Sequence, residues 1–185
     1  MAKTAKKVNA KIESAAQVSK SPIERTLILL KPDAVQRGIM GKIITRFEDA
    51  GFKIIGMKMF FADREFARKH YTEDITIRRG EHVRNALVDF LQVGPVLALC
   101  VEGVNAIENV RKIVGSTEPK SAAPGTIRGD FAHVSYAYAD AMKIVVKNLI
   151  HASSDAKDAA HEVPLWFSKA ELHTYPTVHD VHILQ

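Results

Sequence analysis

At 185 residues, with 46% hydrophobic and 25% charged side chains, the chain has the length and composition of one packed, soluble domain. No apolar run approaches the ~20 residues of a membrane span, and a single cysteine rules out an internal disulfide framework. The net charge is +5, but residues 1–22 hold five lysines and one glutamate, which is 5 − 1 = +4 of it; the remainder is near neutral, which speaks against nucleic acid as the domain's partner.

Residues 1–23 read as a basic tail, expected to be flexible, with Val8, Ile12, Ala15 and Ala16 at helical spacing. The domain is expected to run from 24 to 185. "TLILLKP" is a continuous apolar run closed by Pro32 and predicts a buried strand. "GKIITRFEDAG" places Ile43, Ile44 and Phe47 on one helical face, with Gly51 as its stop. "FKIIGMKMFF" predicts a strand, and "DREFARKHY" a helix capped by Asp63. "RNALVDFLQVG" predicts an amphipathic helix, "VLALCVEG" a strand, and "NAIENVRKIVG" a helix capped by Asn105 and stopped by Gly115. Cys100 inside that strand reads as a small buried apolar residue of a reducing, cytoplasmic compartment. A Pro/Ser/Ala/Gly-rich loop follows, then a short strand around "VVKNLIH" and a helical stretch "SDAKDAAHEV".

Strands at 26–32, 52–60, 96–102 and 145–150 thus alternate with helices. Four strands with helices on one face point to an α+β fold, a ferredoxin-like sandwich with a four-stranded antiparallel sheet covered by helices.

The common phosphate-binding signatures are absent: neither a G-x-x-x-x-G-K-[ST] loop nor a G-x-G-x-x-G after a strand occurs. His179-x-x-His182 reads as exposed tail rather than a zinc pair, and "RGD" at 128–130 is a chance tripeptide. What remains is a set of cationic and polar residues at strand ends and in loops: Lys31, Arg111, Thr117, Arg128, Asn148 and His151. Lysine brings a point charge and arginine a planar fork, and both suit phosphate oxygens. Each also has an ordinary reading, as a surface ion pair or a loop cap. His151 closes an apolar run, and a neutral imidazole is a competent nucleophile toward phosphorus near pH 7.

"ERTLILLKPDAVQRGIMGKIITRFEDAGFKIIGMKM", "PGTIRGDF", and "NLIHASSD" followed by "EVPLWF" stand in that order between Glu24 and Tyr175. This series resembles the nucleoside diphosphate kinases. The resemblance implies a ferredoxin-like fold and ping-pong transfer of a γ-phosphoryl group. ATP or another nucleoside triphosphate would phosphorylate His151 at Nδ1, and the phosphohistidine would phosphorylate a nucleoside diphosphate, with Mg²⁺ bound through the nucleotide phosphates. Carried over by position, Lys31 reaches the sugar and phosphate region, and Tyr71 supports the site. Arg111, Thr117 and Arg128 hold phosphates, Asn148 holds the ribose, and Ser153 and Glu162 orient His151. The resemblance also implies a homo-oligomer, hexamer or tetramer.

Three departures from the family's pattern stand out. Val83 occupies the place of a phenylalanine that packs on the base, with Val145 as the opposite wall, so weaker base stacking is expected. The segments "TEDITIRRGEH" and 132–147 are longer than usual. Arg78 and Arg79 are expected to be surface charges or to touch a phosphate, while Tyr136 and Tyr138 are expected to pack. Ala152 replaces a glycine after the histidine, which is harmless only if its φ is ordinary. Against the kinase reading stand a non-catalytic scaffold or regulator, opposed by the intact set of polar residues, and a nucleic-acid binder, opposed by the near-neutral core. Glu162 lies eleven residues from His151, and a straight helix over most of that span would carry it ~12 Å away; only the resemblance implies that the chain folds back.

Overall fold

The structure is a computed structural model that describes residues 23–183. The basic tail and its expected helical spacing lie outside the described residues. In chain order the elements are β1 (Ile23–Leu30), α1 (Pro32–Gln36), α2 (Met40–Asp49), β2 (Lys53–Phe60), α3 (Arg64–His70), α4 (Glu73–Arg79), α5 (Glu81–Leu91), β3 (Val96–Val104), α6 (Ala106–Val114), α7 (Ile127–Phe131), α8 (Tyr136–Ala141), β4 (Ile150–Ala152), α9 (Ala156–Trp166) and α10 (Val178–Ile183), with single 3₁₀ turns at Pro119–Ser121 and Lys169–Glu171.

The four strands form one sheet in the order β2-β3-β1-β4, each pair antiparallel, which is the ferredoxin-like topology. Helices cover both faces, where one was expected. The reason lies in β1 and β3, whose residues are apolar at consecutive positions and so must be buried on either side. Leu27, Leu29, Val96, Ala98 and Cys100 pack with Tyr71, Val88, Leu91, Val163 and Trp166, from α3 and its C-terminal cap, α5 and α9. Ile28, Leu30, Leu99 and Val101 pack with Ile43, Phe47, Val110 and Val114, from α2 and α6.

Side-chain alternation decides what each face receives. Ile150 and Ala152 belong to the α2/α6 face, so His151 between them, paired with Leu29 of β1, points to the face carrying α3 and α9.

Local endings follow the residues present. Asp63 accepts from the Phe66 amide and starts α3, as expected. Asn105 is left-handed (φ 46°) with no side-chain cap bond; the Glu24 carboxylate instead accepts from the Ile107 amide at 3.2 Å. Gly115 ends α6 at φ 85°, and a Cβ there would lie 2.4 Å from the Thr126 hydroxyl, so only glycine fits. "TEDITIRR" folds as α4, an added helix that breaks at Gly80 before α5. Arg78 pairs with Asp74 one turn earlier, whereas the Arg79 guanidinium lies 5.7 Å over the Tyr136 ring of α8. The two long segments therefore meet each other. Tyr136 is half-buried in that contact, and Tyr138 is exposed.

Candidate active site

The last strand is shorter and later than its expected span of 145–150: it begins at Ile150, and His151 sits inside it rather than at its end. The cause is Leu149, whose backbone takes φ 70°. That residue is held from both sides. Its carbonyl accepts from the Lys31 amide at 2.8 Å, and its amide donates to Asp33 Oδ2 at 3.0 Å. The backbone distortion next to the histidine is thus at Leu149. Ala152 is an ordinary strand residue paired with Ile28, so the alanine there is harmless.

Alternation sets His151 and Ser153 on the same face as Glu162. Ser153 is fully buried, with its hydroxyl against the Leu27 amide. Asp155 then caps α9 by accepting from the Asp158 amide, and the helix runs back over the sheet. Its buried stripe is Ala159, Glu162, Val163 and Trp166, an i, i+3, i+4, i+7 pattern that includes the carboxylate. This is how the chain folds back: Glu162 Oε1 lies 2.9 Å from His151 Nε2, and Ser153 Oγ donates to Oε2 at 2.6 Å. Burial alone would raise the Glu162 pKa. The adjacent, bonded His151, with the Ser153 hydroxyl, outweighs burial and holds it at about 2. A carboxylate on Nε2 favours the tautomer with its proton there, leaving a lone pair on Nδ1. Among the described residues Nδ1 takes no hydrogen bond.

The cationic side of the site is equally connected. Lys31 follows β1 and is buried; its ammonium donates to Asn148 Oδ1, and the Asn148 amide donates to the Thr117 carbonyl at 2.7 Å. Arg128, also buried, donates to the carbonyls of Asn148 (3.2 Å), Gly115 (2.9 Å) and Ile150 (2.6 Å). Three of its five N–H groups therefore hold the backbone around His151, and two remain for a ligand. Arg111, exposed on the last turn of α6, adds to the field on Arg128. Burial first and Arg111 second lower the Arg128 pKa to about 10. The Lys31 pKa is lowered to about 8, chiefly by burial, with Asp33 opposing and Arg128 adding. Cations held this close repel one another, and an anion of several charges relieves that repulsion.

Of the expected residues, Lys31, Arg111, Thr117, Arg128, Asn148, His151, Ser153 and Glu162 thus form one linked constellation. Tyr71 is buried beside it, with its pKa raised by burial and by Glu162 and Asp33. Val83, in the first turn of α5, and Val145, before Asn148, are half-buried. Three residues that sequence reasoning passed over also belong to the site. Asp33 pins Leu149 and faces Lys31. Arg84 is buried beneath Tyr71, donating to its carbonyl at 2.7 Å and pairing with Glu73. His70 stands edge-on to His151 with ring centroids 4.7 Å apart.

The model of the family described as nucleoside diphosphate kinase matches residues 24–172. The nucleoside diphosphate kinase of Pyrococcus horikoshii is 48% identical over 161 residues, covering 86% of this chain and 95% of that protein. That of Borreliella burgdorferi is 45% identical over 154 residues, covering 83% and 92%. A solved structure described as a transition-state mimic of nucleoside-diphosphate kinase from Borrelia burgdorferi, with bound vanadate and ADP, superposes with a TM-score of 0.85 at 43% identity, covering 86% of this chain and 96% of that one. With a histidine paired to a buried carboxylate on the last strand of a ferredoxin-like sheet, and with this likeness along nearly its whole described length, the chain belongs to the nucleoside diphosphate kinase family.

Proposed function

We propose that this phosphotransferase moves the γ-phosphoryl group of a nucleoside triphosphate to a nucleoside diphosphate by way of phosphorylated His151. The observation that carries the reading is the pairing of His151 Nε2 with the Glu162 carboxylate at 2.9 Å, which leaves Nδ1 as the nucleophile. In the first half-reaction Nδ1 attacks the γ-phosphorus and the nucleoside diphosphate leaves. The imidazole gains positive character as the N–P bond forms, and Glu162 stabilises it. In the second, the β-phosphate of another nucleoside diphosphate takes the group and Nδ1 regains its lone pair. The transition state spreads charge over the transferred oxygens, so placed cations supply much of the catalysis. Lys31, Arg111, Thr117 and Arg128 take the phosphates and Asn148 the ribose. Val83 and Val145 cover the base from either side without an aromatic face, so base stacking is weak. The vanadate and ADP in the Borrelia burgdorferi structure, described as a transition-state mimic, support the reading of phosphoryl transfer.

The donor set tells how Mg²⁺ would be held. His70, His151 and Glu162 bring ligand atoms within 4.8 Å of one another, but two of the three are nitrogens, whereas Mg²⁺ demands oxygens in octahedral array. The charged residues beside them include the cations Lys31 and Arg128, with Arg111 next to Arg128. Mg²⁺ would instead be held through the nucleotide phosphates that Lys31, Arg111, Thr117 and Arg128 take, and there it would neutralise phosphate charge.

The reading is tested by incubating the full chain with γ-labelled ATP. An acid-labile, base-stable phosphoprotein is expected, discharged by unlabelled GDP with label appearing in GTP. A protein that takes no label, or holds it against GDP, is a non-catalytic relative instead.

Lys31 sets a pH dependence. With a pKa of about 8 in the nucleotide-free protein, it loses its proton as pH rises through that value. Because kcat/KM reports groups of the free enzyme, kcat/KM is expected to fall above about pH 8, with KM rising more than kcat falls, since bound phosphate restores the proton. Stability runs the other way. Between the folded value of about 8 and the ordinary 10.5, the unfolded chain binds more protons, so this group's contribution to stability rises with pH. A kcat/KM profile flat from pH 7 to 10 removes protonated Lys31 from phosphate binding.

We also assign a homo-oligomer, hexamer or tetramer, in the cytoplasm. Among the described residues no helix is long and apolar enough to cross a membrane, and the lone cysteine is buried. The outer edge of β2 is met at Ile54 and Ile55 by Tyr175 and His173. Beyond that point Met57, Met59 and Phe61 are 58%, 51% and 64% exposed in the single chain, an apolar edge that a second copy would cover. Replacing Met57 and Met59 together by glutamate is expected to lower the sedimenting mass; an unchanged mass places the contact elsewhere.

A further inference from the structure

His70 has no part in the reaction just proposed, yet it is the closest aromatic neighbour of the nucleophile among the described residues. Its side chain is fully buried. Its ring meets His151 at 86° with centroids 4.7 Å apart, the perpendicular arrangement that aromatic pairs favour. It meets Tyr71 at 4.6 Å and Trp166 at 5.5 Å, so its own orientation is fixed on three sides. The Trp166 indole, which can only donate, gives its N–H to His70 Nδ1 at 3.3 Å, which places the His70 proton on Nε2. That Nε2–H is buried without a partner among the described residues. A protein that tolerates such a group is using the ring for something other than its hydrogen bond.

The charge state of His70 bears on Glu162 as well. His70 Nδ1 lies 3.8 Å from Glu162 Oε1, the same oxygen that His151 uses at 2.9 Å. A charged His70 would compete for that oxygen and repel the cation that His151 becomes on taking the phosphoryl group. The groups facing it are His151 on β4, Glu162 and His161 on α9, and Lys31 after β1. Burial, then His151, Lys31 and His161, lower its pKa to about 3 against the opposing pull of Glu162. The contact with Glu162 is therefore not an ion pair near neutrality.

We propose that His70 is a positioning residue for phosphoryl transfer: an uncharged ring, clamped by Trp166, that fixes the rotation of the His151 imidazole and leaves Glu162 to His151 alone. This rests on the reading of His151 as the nucleophile. The His70 side chain is fully buried and bonds to Trp166 rather than to Lys31, Arg111, Thr117, Arg128 or Asn148, so it is expected to act on the rate of His151 phosphorylation and not on nucleotide binding.

The test is the single-turnover rate of labelling by γ-labelled ATP, with nucleotide KM and thermal unfolding measured on the same full-length samples. Failure of the wild type to label overturns the nucleophile reading itself. With the wild type active, His70→Ala is expected to lower the labelling rate by about ten- to a hundredfold, the scale of a slightly misplaced reacting group, with KM within about threefold. His70→Phe retains an uncharged ring without the acceptor for Trp166; His70→Gln retains an acceptor without the ring. Phenylalanine is expected to restore the rate to within about fivefold of wild type, well above glutamine. Both keep more core volume than alanine, so the comparison stands if His70→Ala does not fold. Wild-type labelling in folded His70→Ala overturns the proposal, as does a glutamine variant as fast as the phenylalanine one.

Discussion

Replacing His151 by glutamine is expected to abolish labelling by γ-labelled ATP and to lower phosphoryl transfer between nucleotides by at least about 10⁴-fold, or roughly 5.4 kcal/mol of barrier. Glutamine is chosen because removing the ring altogether would strand Glu162. That carboxylate is buried, and His151 is its main partner; an unpaired buried charge costs several kcal/mol and confuses a chemical loss with an unfolding one. The glutamine amide N–H₂ can take the place of Nε2 against Oε1, while nothing replaces the Nδ1 lone pair. Unfolding midpoints close to wild type, together with loss of the phosphoprotein, locate the defect in the nucleophile. The loss is expected in both half-reactions, because the same nitrogen receives and donates the group. A glutamine variant that still takes up acid-labile label sends the search to another nucleophile.

How much of this site could be read from the sequence varies residue by residue, for physical reasons. β1 was legible because consecutive apolar residues leave a strand no solvent-facing side; the same fact implies helices on both faces of the sheet. Lys31 was legible as the cation closing that strand. Its burial was not, since burial depends on α1 and the loop at Leu149 closing over it. The last strand reads several residues early because nothing in "VVKNL" announces a left-handed leucine; Leu149 is held in that conformation by Asp33 and Lys31. Glu162 carried a readable signal, a carboxylate at a core position of the stripe Ala159, Val163, Trp166. A charge in an apolar stripe must have a partner, but spacing alone cannot name it. His70 was hidden in plain view beside Tyr71, for in sequence it is one more polar residue at the end of an amphipathic helix. Val83 and Val145 remain tied to the base by position in the family pattern and by partial burial alone.

Arg128 is where sequence and structure give the most different pictures, and its conservative replacement separates them. Read by position, it is a phosphate ligand like Arg111. In the fold, three of its N–H groups bind the carbonyls of Gly115, Asn148 and Ile150, the last next to His151. A lysine keeps the positive charge but has one compact head that cannot span three carbonyls. Arg128→Lys is therefore expected to lose roughly 1–3 kcal/mol of stability, since the Asn148 carbonyl keeps the Ile150 amide, lysine satisfies one of the other two, and a buried acceptor left unpaired costs about 1–3 kcal/mol. It is also expected to lose about 10²-fold or more in kcat/KM, because the strand bearing His151 loosens along with the phosphate contact. Arg111→Lys is the matched control. Arg111 is exposed and holds no carbonyl among the described residues, so its stability is expected to stay within about 0.5 kcal/mol of wild type, with the loss confined to KM. Denaturant midpoints and kcat/KM measured on both variants decide the matter. Equal stability for the two would mean that the carbonyl clamp contributes nothing. A stability loss at Arg128 alone means that the residue proposed to take a phosphate also builds the backbone floor beside His151, and that a charge alone cannot replace it.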